Sequence, residues 1–311
     1  MAVIGGGSWG TALANLLAKK DLPVCMWSFE PDVAEAINAT HRNSRYLREV
    51  ALDPRLHATA SLADAVRGAD VLVTVTPAQH ARRVLQEVAA TMSEVHSEVL
   101  PRVAAARACF LSGPSFALEV AQEQPTAVTI ASHDSAAAVE AQQLFQTSYF
   151  RCYTSYDVVG VELGGALKNV MAIASGMAVG LGLGNNATAA LITRGLAEIA
   201  RLGVRLGANP LTLSGLAGMG DLILTCTGAL SRNRHVGVEL GRGRKLHDVL
   251  GEMTMVAEGV DTARAAHALA QRTGIEMPIV AEVHAVLFEN RPAAEAVANL
   301  MLRVPKPELW Q

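Results

Sequence analysis

Aromatic residues make up only 4% of this chain although half of its 311 residues are hydrophobic. A core with few large rings must be built from Ala, Val, Leu and Gly, which favours close approach of helices and strands. Charge of one sign is also missing: 26 Lys and Arg stand against 29 Asp and Glu, for a net charge of −3. That balance excludes a global basic field able to hold nucleic acid or an anionic membrane, so any anion must be bound by a local site. The four cysteines, Cys25, Cys109, Cys152 and Cys226, lie far apart without a C-x-x-C pair, and the nine histidines form no ligand-spaced cluster with them. A disulfide framework or zinc site is therefore not expected, and no metal is assigned. The N-terminus runs straight into Ala-Val-Ile-Gly with no basic region and no small-residue cleavage site, which predicts a cytoplasmic protein. The longest uncharged stretch near the middle, residues 170–184, is too short and too glycine-rich to span a bilayer, so no membrane insertion is expected.

What is present falls into two halves, with a boundary near residue 155. Residues 1–155 alternate short apolar runs with Ala/Leu-rich helical segments. Met1–Ile4, Pro23–Trp27, Val71–Val75, Cys109–Leu111 and Ala127–Ile130 suit buried strands, and Thr11–Lys19 and Asp32–Ala39 suit helices. This alternation predicts an α/β domain, a parallel sheet with helices on its faces. In residues 156–311 the strand-like runs nearly vanish, and the pattern predicts helices over 158–179, 186–206, from Pro210 onward, 233–240, 246–250, 258–272, 278–288 and 292–299. Pro210 and Pro278 mark helix starts, and Gly203, Gly207 and Gly274 mark stops.

Gly5, Gly7 and Gly10 form G-x-G-x-x-G directly after the first predicted strand and directly before a helix. There the glycines permit a tight turn and close backbone approach, so that a pyrophosphate can rest on the helix N-terminus. Glu30 follows about twenty residues on, the distance at which an acid binds the ribose 2′-hydroxyl of NAD. It falls past the second strand rather than at its end, however, and an exposed helix-starting glutamate fits equally well. No arginine takes the obvious 2′-phosphate position, although Arg42, Arg45 and Arg48 follow nearby, so the choice between NAD and NADP stays open.

A second signal is ELGGALKNVMAIASGM, residues 162–177, which sets Lys168 and Asn169 in an otherwise small-residue, apolar helix. Desolvation disfavours an ammonium ion, which is one way a lysine becomes a proton acceptor near neutral pH. The alternative is a lysine whose stem packs along the helix while its head reaches water.

Seven blocks occur in order: GGGSWG, LSGPSFA at 111–117, GGALKNV at 164–170, NNATAALITRGLAE at 185–198, GLAGMGDLILTC at 215–226, LSRNRHVG at 230–237 and VAEGVDT at 256–262. Together they resemble the bacterial-type NAD(P)-dependent glycerol-3-phosphate dehydrogenases nearly end to end. The resemblance implies a Rossmann-like doubly wound parallel sheet followed by an all-helical substrate domain. It implies reversible reduction of dihydroxyacetone phosphate to sn-glycerol 3-phosphate with NAD or NADP, supplying glycerophospholipid synthesis. It assigns Lys168 as proton acceptor and substrate ligand, and Gly113, Ser115, Asp221, Ser231, Arg232 and Asn233 as further substrate contacts. Ser8, Trp9, Phe29, Ala117, Arg232, Val256 and Glu258 join the three glycines as cofactor contacts. By residue chemistry alone, Ser231–Asn233 also reads as a surface turn, Asp221 as a helix cap, and Arg194 as a partner of Glu198 one turn on. The partner implied is a small phosphate-bearing substrate. A homodimer is common for such folds but is not written in these residues.

One departure stands out. Between the fourth strand and LSGPS, relatives of this type carry a further strand ending in a Lys-Gly-Ile/Leu-Glu block, whose lysine touches cofactor and substrate. Here a helix runs from Ala78 to about Ala90, and residues 91–100 resemble the helix that normally follows that strand. The expectation is a deleted strand near residue 90, whose neighbours must close up or leave a gap. Arg82 or Arg83 could replace the lost charge, or the chain could be a catalytically impaired dinucleotide-binding homologue. A related hydroxy-acid dehydrogenase is a further alternative.

Overall fold

Runs of small and branched apolar residues become strands where both faces are covered, and Ala-Val-Ile at residues 2–4 is the clearest case. In the computed structural model, which describes residues 1–96, 107–253, 255–305 and 307–308, this strand β1 (Ala2–Ile4) is wholly buried. It pairs in parallel with β2 (Cys25–Trp27) on one side and β4 (Leu72–Thr74) on the other, and β2 pairs in parallel with β3 (His57–Thr59). The resulting order is β3-β2-β1-β4. Helices α1 (Ser8–Ala18), α2 (Pro31–Thr40), α3 (Leu62–Val66) and α4 (Ala78–His96) follow β1 to β4 in turn, which is the parallel strand-helix repeat that the sequence pattern predicts.

A second sheet has the order β5-β6-β7, from β5 (Phe110–Ser112), β6 (Thr126–Ala131) and β7 (Phe150–Ser155), with β6 and β7 parallel. Helices α5 (Ala117–Ala121) and α6 (Ser135–Phe145) connect these strands. Two strands escape the apolar-run reading. β3 is the short polar sequence His-Ala-Thr, and β7 is buried on one face only, with Phe150 and Cys152 inside and Arg151 and Tyr153 outside. A half-buried strand alternates instead of running apolar throughout.

β4 and β5 end their respective sheets, and among the described residues no strand pairs their outer edges. No residue of either strand is fully buried, in contrast to β1. The helix expected to end near Ala90 continues as a single 19-residue α4 to His96. It absorbs the start of the segment expected at 91–100, of which residues 97–100 lie outside the described residues.

By contact the chain divides into one unit of residues 1–111 and 115–156, and a second of residues 112–114 and 157–311. The second unit contains no strand of its own beyond Ser112 among the described residues. Its elements are α7 (Val158–Gly180), α8 (Asn185–Arg205), α9 (Pro210–Leu213), a π-helical turn over Leu216–Gly220, α10 (Asp221–Thr227), α11 (Arg232–Gly241), α12 (Leu246–Gly251), α13 (Gly259–Thr273), α14 (Pro278–Phe288) and α15 (Ala293–Met301). Helix α7 is the hub, and Val170, Met171, Ile173 and Met177 pack with Leu202, Leu222, Val236 and Val280 in one core.

Two expectations need correction here. Gly203 does not stop a helix, because α8 runs on to Arg205 and the chain turns at Gly207, whose φ is +94°. The apolar stretch at 170–184 belongs to a 23-residue helix that begins at Val158 and is long and apolar enough, by length and composition, to cross a membrane. Of its most apolar window, 61% is buried inside the protein, because α7 uses its small apolar residues to pack other helices.

Candidate active site

In the first unit the glycine turn is built by exclusion. A Cβ on Gly10 would lie 1.9 Å from the Gly5 carbonyl oxygen, and one on Gly5, whose φ is +134°, would lie 2.5 Å from the Val75 oxygen. Both positions therefore require glycine so that α1 can pack on β1 and β4. At Gly7 an added Cβ would meet nothing within 4 Å. Gly7 is also the N-cap of α1, with no side-chain capping bond and no acid in the first turn, so the first N–H groups of the helix remain suited to an anion. This arrangement fits the pyrophosphate of a dinucleotide.

Polar side chains brace this turn, among them Asn43 and Tyr46, which the sequence reading passed over. Asn43 is fully buried, and its Nδ2 donates to the Gly6 carbonyl at 2.9 Å and to Thr11 Oγ1 at 2.8 Å. Its Oδ1 accepts from the N–H of Tyr46 at 3.0 Å. Ser8 Oγ donates to the Tyr46 carbonyl at 2.7 Å. The Tyr46 hydroxyl in turn donates to Glu30 Oε1 at 2.6 Å, and Ser28 Oγ donates to Glu30 Oε2 at 3.3 Å. Burial, and then the bond to Glu30, push the Tyr46 phenol up to about 12. Trp9 is half-buried. Phe29 is 68% exposed, edge-on to Trp27 at 6.4 Å between ring centroids. Ala117 opens α5, two residues after Ser115.

In the second unit Lys168 does not stand alone. It forms an ion pair with Asp221, 53 residues away, and the side chains are 21% and 3% exposed respectively. Asp221 Oδ2 also accepts from Ser112 Oγ at 3.3 Å, and its Oδ1 lies 3.3 Å from Thr225 Oγ1. The carboxylate is thus turned toward Lys168 instead of capping a helix. The π-helical turn that delivers Asp221 can approach α7 because Gly164 lies one turn before Lys168. A Cβ at Gly164 would be 2.4 Å from the Ala217 carbonyl oxygen, and π-helical turns of this kind are frequent at functional sites.

The Ser-Arg-Asn block does three separate things. Ser231 caps α11, its Oγ accepting from the Arg234 N–H at 3.2 Å. Arg232 is exposed, and its Nη1 donates to the Val256 carbonyl at 2.8 Å, which brings two expected cofactor residues together. Asn233 is buried, donates from Nδ2 to Asn169 Oδ1 at 2.9 Å and accepts at Oδ1 from the Gly259 N–H at 2.9 Å. It therefore ties α11 to the residue after Lys168 and to the start of α13, with its second Nδ2 hydrogen left for another acceptor. Gly113, with φ +148°, belongs to this unit, and Glu258 immediately precedes α13. The pairing of Arg194 with Glu198 is not found. Glu198 is buried and accepts from the N–H groups of Ile279 at 2.8 Å and Val280 at 3.3 Å, at the N-terminus of α14.

The model of the NAD-dependent glycerol-3-phosphate dehydrogenase C-terminus matches residues 157–298, and that of the N-terminus matches residues 1–96 and 86–138. The chain belongs to the NAD-dependent glycerol-3-phosphate dehydrogenase family. A glycerol-3-phosphate dehydrogenase (NAD(P)+) from Geobacter metallireducens is 54% identical over 99% of this chain and 98% of its own length. The enzyme of that name from Myxococcus xanthus is 52% identical over 99% and 98%. The crystal structure of glycerol-3-phosphate dehydrogenase from Coxiella burnetii superposes with a TM-score of 0.88 at 38% identity, covering 96% of this chain and 98% of that one. An alignment of 329 positions to a chain of 311 leaves at least 18 positions of the Geobacter glycerol-3-phosphate dehydrogenase without a counterpart here. The two N-terminal matches of the dehydrogenase family share residues 86–96, within α4.

Proposed function

We propose that this protein is an oxidoreductase that interconverts dihydroxyacetone phosphate and sn-glycerol 3-phosphate, with Lys168 as its acid and base. The observation that carries the reading is the Lys168–Asp221 pair, with Ser112 donating to the same carboxylate. Bound NAD(P)H supplies the hydride. Lys168 Nζ gives a proton to the carbonyl oxygen in reduction and accepts one from the hydroxyl in oxidation. Asp221 holds the Lys168 head in place, so that little reorganisation is needed as the proton moves. Arg232 offers a planar guanidinium suited to phosphate, and Ser231, Asn233, Gly113 and Ser115 supply the other hydrogen-bonding groups for substrate. Gly5, Gly7, Gly10, Ser8, Trp9, Phe29, Ala117, Val256 and Glu258 are the residues for the dinucleotide, joined by Arg232. On this reading the protein works in the cytoplasm on a small phosphate substrate, without nucleic acid or membrane insertion, supplying glycerophospholipid synthesis.

One observation favours a second reading, that of a dinucleotide-binding homologue with weakened turnover. The outer edges of β4 and β5 are unpaired among the described residues, where relatives are expected to carry a strand and its Lys-Gly block. Loss of one charge-assisted phosphate contact costs about 1.5–3 kcal/mol, roughly ten- to a hundredfold in affinity. The deciding experiment follows NADH and NADPH absorbance with purified protein and dihydroxyacetone phosphate, with Lys168→Ala as control. Turnover that disappears in the variant supports the dehydrogenase. A folded protein that binds dinucleotide but does not turn over selects the weakened homologue.

A further inference from the structure

In the second unit two histidines that belong to neither implied site meet face to face. His267 of α13 and His284 of α14 stack with ring centroids 4.2 Å apart and planes 17° from parallel. They meet because the two helices form a short helical hairpin: α13 ends at Thr273, α14 begins at Pro278, and each histidine lies six residues from its helix end at that turn. Phe288, one turn after His284, extends the stack at 5.0 Å, and the guanidinium carbon of Arg264 lies 4.5 Å from the Phe288 centroid. The hydrogen bonds place the protons. Gln271 Nε2 is a donor only and lies 2.9 Å from His267 Nε2, which therefore accepts, so His267 is neutral. His284 Nδ1 donates to Glu289 Oε1 at 3.1 Å. One ring of the stack is thus matched with a carboxylate and the other with an amide. The charges that act on the pair are Arg264 of α13 and Glu289 just past α14. On the helices packed against this hairpin, Lys168 of α7 pairs with Asp221, and Glu198 of α8 accepts from the first N–H groups of α14. Arg194 and Arg201 of α8 act on one another, and Glu295 of α15 lies 3.8 Å from Arg291 Nε.

We propose that the His267–His284 stack is an acid-sensitive clasp on this helical hairpin, closed while the pair carries at most one proton and open when both rings are charged. A first proton settles on His284, where Glu289 answers it, and a charged imidazole stacked on a neutral one remains attractive. A second proton puts like charges 4.2 Å apart and sets three cations, Arg264, His267 and His284, against the one carboxylate of Glu289. It also turns His267 Nε2 into a donor facing the Gln271 donor. Burial, and then the His284 ring, lower His267 below its ordinary 6.5, with Glu289 pulling the other way. The opened pair takes up protons at the ordinary value, so the clasp is fully closed above about 6.5 and weakens as pH falls through the lowered value. The helix it fastens begins at Gly259, whose N–H donates to Asn233 Oδ1, and Asn233 in turn donates to Asn169, the neighbour of Lys168. The proposal goes beyond the dehydrogenase reading and is independent of it.

The test uses the full chain with isotope-labelled histidine rings followed by NMR, together with hydrogen exchange of residues 259–288. In the wild type the two rings are expected to titrate in separate steps, His267 at the lower pH, with His267→Phe and His284→Phe assigning them. His284→Phe keeps a flat ring in the stack without its charge, and is expected to move the His267 step upward. Protection of residues 259–288, corrected for intrinsic exchange, is expected to fall between about pH 7.5 and about pH 5, at least about threefold more in the wild type than in either variant. Glu289→Gln removes the one opposing carboxylate and is expected to start the fall at higher pH. Glu198 titrates in the opposite sense at the start of α14 and is present in every variant, so it cancels in the comparison. Either phenylalanine variant suffices, so one that fails to fold leaves the test standing. A His267 step that His284→Phe leaves in place overturns the proposal, and so does a loss of protection that persists unchanged in His267→Phe.

Discussion

The two units present binding groups in opposite ways. In the first, the groups offered to a ligand are mostly backbone and contiguous, from Gly5 to Gly10, and side chains such as Asn43 serve to hold that backbone. In the second, the groups are side chains gathered across the chain: Lys168 meets Asp221 over 53 residues, Asn233 meets Asn169 over 64, and Ser112 meets Asp221 over 109. A backbone site is vulnerable to atoms added, and a side-chain site to atoms removed. On the proposed reading the two kinds of site also suit different tasks, a backbone cradle for a phosphate and a positioned ammonium for proton transfer.

That contrast can be broken most sharply at Lys168. Lys168→Ala is expected to lower kcat by about 10²–10⁴ while NADH affinity stays within twofold or so, read by absorbance kinetics and by nicotinamide fluorescence. Unchanged turnover would remove Lys168 from the chemistry. The reverse experiment is Gly10→Ala. An added Cβ 1.9 Å from the Gly5 oxygen must displace the turn, and NADH affinity is expected to fall by at least about a hundredfold, while the helical unit keeps its structure. Normal NADH binding in that variant would show that the turn is not the cradle.

Smaller effects sharpen the picture within the second unit. Asp221→Asn keeps the shape but removes the charge opposite Lys168, and kcat is expected to drop about ten- to a hundredfold. Ser112→Ala should cost only a few fold, about 3-fold, because the ion pair with Lys168 still holds the carboxylate. Equal losses in the two variants would mean that Ser112 does more than orient. The smallest effect concerns stability. Burial raises the Glu198 carboxyl from its ordinary value near 4.5 to about 7, against the opposing pull of the N–H groups of Ile279 and Val280. The unfolded chain releases this proton first, so stability falls as pH rises from about 4.5 to 7 and levels off above. A melting temperature that declines over that range in the wild type and less in Glu198→Gln is the expected outcome. Identical pH profiles in the two proteins would exclude Glu198 as the source.

Legibility in the sequence followed the range of the interaction. β1, the glycine turn and α1 could be read because strand, turn and helix start are adjacent, each with a local signature. Most helices of the second half were also readable from periodicity and from Pro210 and Pro278 at their starts, to within a residue or two, but the π-helical turn and α10 were not given bounds. β7 was missed because only Phe150 and Cys152 face inward, and β3 because three residues carry almost no pattern. At the site, Lys168 drew attention as a charge in an apolar helix. Asp221 was named through the family resemblance, but its pairing with Lys168 was not, since nothing local to Asp221 points to α7. Asn43 and Tyr46 gave no signal either, for they act on residues more than a turn of chain away.

By itself, then, the amino-acid order determined two units of different class, a glycine turn suited to an anion in the first, and a lysine within an apolar helix in the second. These follow from spacing and residue type, which act over a few positions. The three-dimensional structure alone decided which carboxylate answers Lys168, which residues bond to Glu30, and the pairing orders β3-β2-β1-β4 and β5-β6-β7 among the described residues. Those outcomes depend on the direction of side chains and strand edges brought together from distant parts of the chain, and packing sets that direction after the local elements have formed.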